Sequence, residues 1–251
     1  MKSLAAAKPC AVCDKDGAGV PKTVRKLVEE TWETEASLSV FLGLMVLIVF
    51  VLPAIGFDRS NEKLYLDVSY TLGMACGVSI AWRSRALFFT AASFAFVAIL
   101  FKWITWFTAP HALGVWPDVL SLVSTVLIAF ILLRQVFSVG PITSHRIQGA
   151  IAVYLSFGIA WAHAFHITSV LNPGSFSTST HELANVTDWI YFSFITLTTV
   201  GYGDIVPVHP IARSLATSEA FTGQLYLAVL LAHLVSMRVS GSGRDTDGEA
   251  T

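Results

Sequence analysis

Residues 188–204, DWIYFSFITLTTVGYGD, decide the fold of this chain. The apolar part, residues 188–199, predicts a helix of 12 residues. The hydrocarbon core of a bilayer is about 30 Å thick and needs about 20 residues of helix, so this stretch is too short to cross it. We therefore predict a re-entrant helix, followed by non-helical backbone at membrane depth that protein or a water-filled cavity surrounds. Asp188 suits the start of this helix, because a carboxylate accepts hydrogen bonds from unpaired backbone N–H groups.

Longer apolar runs surround this short stretch. They predict six membrane-spanning helices, over residues 36–57, 64–82, 86–107, 119–133, 147–171 and 210–238. The short helix and its loop lie between the fifth run and the sixth. The sequence thus predicts an all-α integral membrane protein with six transmembrane helices and one re-entrant helix with its loop.

The composition agrees with lipid as the main solvent. The 251 residues are 54% hydrophobic and only 13% charged, with a mean hydropathy of +0.65, whereas a soluble domain carries roughly 25% charged residues. The net charge of −1 gives no indication of a nucleic-acid partner. Three cysteines, Cys10, Cys13 and Cys76, predict no disulfide framework. We expect no signal peptide before the first apolar run.

Lysine and arginine positions predict the orientation, because positive charges accumulate on the cytoplasmic side. One side of the predicted helices carries Lys2, Lys8, Lys15, Lys22, Arg25, Lys26, Arg83, Arg85, Arg134, Arg146, Arg238 and Arg244. The other side carries Arg59, Lys63 and Arg213, with Lys102 near it. We therefore predict a multi-pass cell-membrane protein with both termini in the cytoplasm and a re-entrant loop that enters from outside.

The loop after the short helix carries the chemistry. Successive carbonyl groups can point toward one axis only if the backbone alternates between right- and left-handed dihedrals, and Gly201 and Gly203 adopt the left-handed ones at little steric cost. The carbonyl oxygens of Thr199, Val200, Gly201 and Tyr202, with the Thr199 hydroxyl, would then form rings of oxygen where several chains meet. Such rings can replace the hydration shell of a cation.

Residues 199–204 read TVGYGD, which resembles the signature of potassium channels. The resemblance covers residues 144–240, and the first four segments are similar to that family only in number and topology. It implies a selectivity filter formed by Thr199, Val200, Gly201, Tyr202 and Gly203, with K⁺ bound at the first four. It implies a homotetramer in membrane lipid, because one loop supplies one quarter of each ring.

The same resemblance implies that the protein transports an ion and does not convert a substrate. The protein would pass K⁺ passively, would not be an enzyme and would hold no organic cofactor. Because the compact chain is similar to bacterial channels, the resemblance implies a bacterial inner membrane. What opens the pore stays undecided at this point.

The resemblance also assigns residues that support the filter. Tyr191 and Phe192 stand where such channels carry an aromatic pair, and Tyr191 is expected to reach Asp204. Thr198 completes the supporting set. Ile195 occupies a position where some relatives have an acidic residue, so that hydrogen bond is missing here.

Gly223 in the sixth segment lies 20 residues after Gly203, which matches the family's usual hinge. Close helix packing is the alternative, because membrane helices also select small residues where they touch. Residues that recur at helical spacing are candidates to line the cavity below the filter, although a lipid-facing stripe would look the same. They are Gln224, Leu227, Leu231 and Val235.

Glu219 is a carboxylate within the sixth segment, and in lipid it needs a partner. Arg213 lies about two turns away on the same predicted helix and is not an obvious one. We predict a structural hydrogen bond to the re-entrant helix, with a direct ion site as the alternative.

The fourth segment carries a single basic residue, Arg134, at its cytoplasmic end. Moving one charge through 100 mV is worth about 2.3 kcal/mol, so one terminal arginine predicts weak voltage dependence. Lys102 and Asp67 are expected to reach the membrane interface. His163, His166 and His233 predict either packing or pH sensing.

These observations divide the chain into four parts. They are a cytoplasmic tail (1–35), a four-helix domain similar to a voltage sensor without gating charges (36–138), a pore domain (144–240) and a second tail (241–251). Two rival functions remain. An ion-coupled secondary transporter could use Glu219 and the histidines as a proton relay, and a nonconducting sensor could retain the pore scaffold.

Overall fold

A computed structural model describes residues 37–55, 59–80, 85–105, 114–138, 143–178 and 186–246. The predictions for residues 1–36, including Cys10 and Cys13, and for residues 247–251 lie outside this part. The helices are α1 (Ser37–Ile55), α2 (Arg59–Ile80), α3 (Arg85–Ile104), α4 (Trp116–Val136), α5 (Ser144–Leu171), α6 (Val186–Leu197) and α7 (Pro210–Thr246). Two short strands, β1 (Phe176–Thr178) and β2 (Ile205–Pro207), complete the fold.

Four of the described helices, α1, α4, α5 and α7, are long and apolar enough to cross a membrane. Helices α2 and α3 contain shorter apolar stretches, Leu64–Ile80 and Phe88–Ile104. The described residues are therefore mostly helical, with four candidate membrane-spanning helices.

Helix α1 contains a wider turn near its end. Residues Leu47–Val51 are π-helical, and the N–H of Leu52 donates to the carbonyl oxygen of Leu47. Pro53 follows directly and has no N–H to donate. The wider turn therefore lets the helix pass the proline and continue to Ile55.

Helix α6 is the predicted re-entrant helix, and it has the predicted length of 12 residues. It runs from Val186 to Leu197, so it begins and ends two residues earlier than the sequence pattern indicated. The early end has a backbone cause, because Thr199 has a φ of +60° and cannot continue a right-handed helix. Asp188 lies in the first turn, as predicted.

One apolar core holds the helices together. Helix α4 packs along α5, and α6 lies between α5 and α7. Phe41, Leu132, Val153 and Phe165 are among its fully buried side chains. Helix α6 is therefore enclosed by protein on the α5 and α7 sides.

The two strands were not predicted, and they hold the segment that follows the loop. Strand β1 pairs antiparallel with β2, and Ser177 lies opposite Val206. The N–H of Val208 also donates to the carbonyl oxygen of Ser175 at 2.9 Å. This ribbon joins the end of α5 to the chain that leaves the loop, so both ends of the loop are anchored.

Lys102 and Asp67 form a buried ion pair, which the sequence did not predict. Lys102 Nζ lies 3.0 Å from Asp67 Oδ1, and the two side chains are only 14% and 7% exposed. Lys102 Nζ also lies 4.8 Å from the centre of the Tyr70 ring. Each charge is buried beside its opposite, which offsets part of the cost of removing both from water.

The buried polar network continues from α4 into α5. Asp118 Oδ1 lies 3.4 Å from His163 Nδ1, and Asp118 Oδ2 lies 3.1 Å from His166 Nδ1. The Tyr70 hydroxyl donates to the carbonyl oxygen of Ser121 at 3.2 Å. Both histidines therefore link α5 to α4 through Asp118.

Candidate functional site

The loop after α6 has an alternating backbone. Thr199, Gly201 and Gly203 have φ values of +60°, +55° and +82°. The left-handed conformation of the two glycines agrees with the sequence prediction. Thr199 was missed, because a β-branched residue is an outlier at positive φ and no residue type signals it. Strain of this kind persists only where the surroundings enforce it, and it is concentrated at functional sites.

Hydrogen bonds to the end of α6 enforce this conformation. The N–H groups of Val200 and Gly201 both donate to the carbonyl oxygen of Ile195, at 2.9 and 3.1 Å. The Thr198 hydroxyl donates to the carbonyl oxygen of Phe194 at 2.6 Å. Carbonyl groups that a helix leaves unpaired at its C-terminus are therefore used to shape the loop.

The loop is uncovered in the single chain. Residues 198–203 are all exposed, and the large side chains of Val200 and Tyr202 are 53% and 73% exposed. The helix that leads into the loop, α6, is largely buried by contrast. Contiguous exposed apolar surface of this kind is typical of an interface.

The two aromatic residues assigned as filter support lie in different surroundings. Phe192 is buried, with its ring centre 4.8 Å from that of Phe165. Tyr191 is exposed, and the Asp204 carboxylate lies near its hydroxyl group. Asp204 Oδ1 is buried and has no hydrogen-bond partner within the described ranges. A hydrogen bond between Tyr191 and Asp204 therefore stays a prediction.

A ring cluster supports α6 from behind. Phe176 on β1 meets Trp189 and Phe192 on α6, with ring centres 4.9 and 5.5 Å apart. Both pairs have the edge-to-face arrangement that aromatic rings prefer. The strand ribbon thus packs against α6 through this aromatic cluster.

Glu219 is fully buried and reaches α6. Its Oε1 atom lies 2.5 Å from the hydroxyl oxygen of Ser193 on α6, and that hydroxyl oxygen lies 2.6 Å from the carbonyl oxygen of Gly158 on α5. Arg213 is exposed. The structure therefore agrees with the predicted structural hydrogen bond. Ser193 was missed, because a serine in an apolar run gives no indication of its distant partners.

Gly223 lies within the unbroken helix α7 and is buried. A Cβ atom at this position would lie 2.5 Å from the carbonyl oxygen of Leu197 and 2.9 Å from its Cδ1. This geometry favours close packing, the alternative that the sequence left open beside a hinge.

The other candidates on α7 lie on its uncovered surface. Gln224, Leu227, Leu231 and Val235 are all exposed in the single chain. A surface of this kind suits a water-filled cavity or lipid, so their role stays a prediction. Tyr226, which the sequence analysis missed, faces the other way and donates from its hydroxyl to the carbonyl oxygen of Ala150 at 2.8 Å.

Residues 150–239, which contain most of α5, all of α6, the loop and most of α7, match a family described as "Ion channel". The loop and the helices on either side of it are thus similar to an ion-channel family.

Potassium channels are among the relatives that this chain matches. It is 35% identical over 83 residues to two pore potassium channel c of Oryza sativa subsp. japonica, covering 33% of this chain and 17% of that protein. It is 37% identical over 73 residues to the inward rectifier potassium channel Kirbac3.1 of Paramagnetospirillum magnetotacticum, covering 29% and 21%. A voltage-gated potassium channel of Aeropyrum pernix is 29% identical over 93 residues, covering 37% and 28%.

These comparisons confirm the resemblance to potassium channels. The chain covers between 17% and 28% of the length of these three relatives. No solved structure matches it.

Proposed function

We propose that this protein is a potassium-selective channel that conducts K⁺ passively through a filter of backbone carbonyl groups. The observation that carries the proposal is the alternating left-handed backbone at Thr199, Gly201 and Gly203. Positive φ at every second residue is the condition for carbonyl groups to point toward one axis. K⁺ would bind at Thr199, Val200, Gly201 and Tyr202, with Gly203 completing the filter, as in loops of this sequence.

The functional unit would be a homotetramer. One chain supplies one loop, and a closed ring of oxygen atoms needs the same loop from several copies around an axis. The exposure of Val200 and Tyr202 in the single chain supports this part of the proposal, because large apolar side chains beside a pore need neighbouring protein. Its partners would be three further copies, membrane lipid and K⁺, without an organic cofactor.

The topology would be six crossings with both termini in the cytoplasm of a bacterial inner membrane. Helices α2 and α3 would supply the two crossings that complete the four longer ones. The four-helix domain of residues 36–138 would then precede the pore domain of residues 144–240. The re-entrant helix would direct its C-terminal end, with its partial negative charge, toward the cation.

Gating would depend little on voltage. Helix α4 carries Arg134 in its last turn and no other basic residue. The Arg134 guanidinium lies 5.3 Å from the centre of the Phe130 ring. A helix with one terminal charge gains too little energy from the membrane potential for steep opening.

The burial of Glu219 argues against the rival function of a proton-coupled transporter. A proton relay needs a carboxylate that solvent reaches from each side in turn, whereas Glu219 is fully buried against Ser193 within one chain. A channel needs no such access.

Ion flux into liposomes tests the proposal. Purified protein in liposomes loaded with K⁺ should take up labelled Rb⁺ rapidly, driven by the K⁺ gradient alone, and external Ba²⁺ should block the uptake. Uptake that requires a proton gradient would favour a transporter. Absence of any uptake by a folded tetramer would favour a nonconducting sensor.

A further inference from the structure

Three buried oxygen atoms from three helices lie in series within hydrogen-bonding distance of one another. The Ser193 hydroxyl oxygen on α6 lies 2.6 Å from the Gly158 carbonyl oxygen on α5 and 2.5 Å from Glu219 Oε1 on α7. Ser193 and Glu219 are both fully buried. Each distance lies within the range of an O–H···O hydrogen bond.

Counting protons decides how these atoms are bonded. Two hydrogen bonds between oxygen atoms need two protons. The Ser193 hydroxyl has one proton, and the Gly158 carbonyl has none. The second proton must therefore belong to Glu219, because an ionised carboxylate would leave one pair of oxygen atoms in contact without a proton between them.

The surroundings of Glu219 agree with a neutral acid. Glu219 Oε2 is buried and has no hydrogen-bond partner within the described ranges. Arg213, which lies six residues earlier on α7, is exposed. A buried carboxylate without a cation is costly, and it is commonly neutralised by binding a proton.

We propose that Glu219 is a protonated positioning residue that holds the re-entrant helix, and with it the filter, in place. The Glu219 carboxylic acid donates to the Ser193 hydroxyl oxygen, and the Ser193 hydroxyl donates to the Gly158 carbonyl oxygen. These two hydrogen bonds link α7, α6 and α5, and the neutral acid adds no charge to the pore. The proposal rests on the proposed function only in its effect on conduction.

The connection to the filter runs through α6. Ser193 lies two residues before Ile195, whose carbonyl oxygen accepts the hydrogen bonds from Val200 and Gly201 that shape the loop. A shift of α6 would therefore move the acceptor that fixes the left-handed backbone. Loss of the Glu219 proton or of the Ser193 hydroxyl should weaken the filter although neither side chain contacts the ion.

Infrared spectroscopy of the full-length protein in lipid tests the protonation directly. At neutral pH the wild type should show the carbonyl stretching band of a protonated carboxylic acid, and this band should vanish in Glu219→Gln. The control Asp188→Asn, at the start of α6, should keep the band. A wild-type spectrum without the band, or a band that Glu219→Gln leaves unchanged, would overturn the proposal.

Rb⁺ flux tests the positioning role. Glu219→Gln should keep wild-type flux, because its amide N–H can donate to Ser193 as the acid does. Ser193→Ala and Glu219→Ala should each lower flux by about tenfold, the factor that one unmade buried hydrogen bond corresponds to. If Glu219→Gln is as damaging as Glu219→Ala, the residue acts as a charge and the proposal is wrong.

The two readouts separate this proposal from the proposed function. A band that Glu219→Gln removes, in a protein that conducts no ions, would leave the protonated acid established and reject the channel. Selective K⁺ flux without the band would establish the channel and reject the protonated acid.

Discussion

Gly223 on α7 lies against the carbonyl oxygen of Leu197, the last residue of α6, with no room for a side chain between them. A Cβ atom at Gly223 would come within 2.5 Å of that oxygen. Gly158 on α5 lies equally close to the other side of α6, where a Cβ atom would come within 2.5 Å of the Phe194 ring. Two glycines on two neighbouring helices thus let α6 lie deep between them.

Gly223→Ala should destabilise the pore domain, because the clashing atom belongs to the backbone and cannot rotate away. The variant protein should unfold at a lower temperature than the wild type, as measured by thermal stability in detergent. Gly43→Ala on α1 is the matched control, since a Cβ atom there meets nothing within 4 Å. The control should be neutral or more stable by up to about 1 kcal/mol, because alanine favours a helix over glycine.

The same pair of variants separates packing from a hinge. A hinge predicts that Gly223→Ala folds and assembles normally and alters only opening. Equal thermal stability of the two variants, with altered gating in one, would contradict the packing account.

Removing one partner of the buried Lys102–Asp67 pair should be costly. Lys102→Met leaves the Asp67 carboxylate buried without its cation and should destabilise the four-helix part by about 3–5 kcal/mol. The double variant Lys102→Met/Asp67→Leu should recover most of the loss, because no charge then remains unpaired. Denaturant unfolding of the wild type, Lys102→Met, Asp67→Leu and the double variant would measure this coupling, and additive losses would show that the pair is not energetically linked.

Arg134 should contribute little to gating. Arg134→Gln removes the one basic residue of α4, and we expect the dependence of conductance on voltage to stay shallow and unchanged. Macroscopic currents over a range of potentials would measure it. A steep voltage dependence in the wild type that Arg134→Gln reduces would mean that this charge moves in the field.

Two pairs of glycines with nearly the same φ test the role of the loop. Gly201 and Gly114 have φ values of +55° and +54°, and Gly203 and Gly174 both have +82°. A Cβ atom at any of these four positions meets nothing within 4 Å. Alanine therefore adds a similar backbone strain of about 1–2 kcal/mol at each one.

Only the substitutions in the loop should change ion selection. Gly201→Ala and Gly203→Ala should abolish selective Rb⁺ uptake, whereas Gly114→Ala and Gly174→Ala should retain it. Liposome flux at equal amounts of folded protein makes this comparison. Loss of uptake in all four variants would point to general destabilisation.

The residues that sequence reasoning found are those whose local chemistry is distinctive. The length of α6, the position of Asp188 and the left-handed glycines of the loop follow from residue type and spacing over a few positions. The match to ion channels covers this same region, residues 150–239.

The residues that it missed depend on distant partners. Lys102 contacts Asp67, which lies 35 residues away in the sequence, and Ser193 and Gly158 are separated by the same number of residues. One sequence does not show which helices become neighbours, so neither contact was predictable. Thr199 was missed for a different reason, because its backbone is forced by hydrogen bonds to Ile195 and by no property of threonine.

Single-channel recording of the purified protein in a planar bilayer tests the central claim most directly. With K⁺ on one side and Na⁺ on the other, the account predicts discrete openings that carry K⁺ and a reversal potential close to the K⁺ equilibrium potential. Discrete openings that pass Na⁺ as readily as K⁺, or a folded tetramer that never opens under any applied potential, would contradict it.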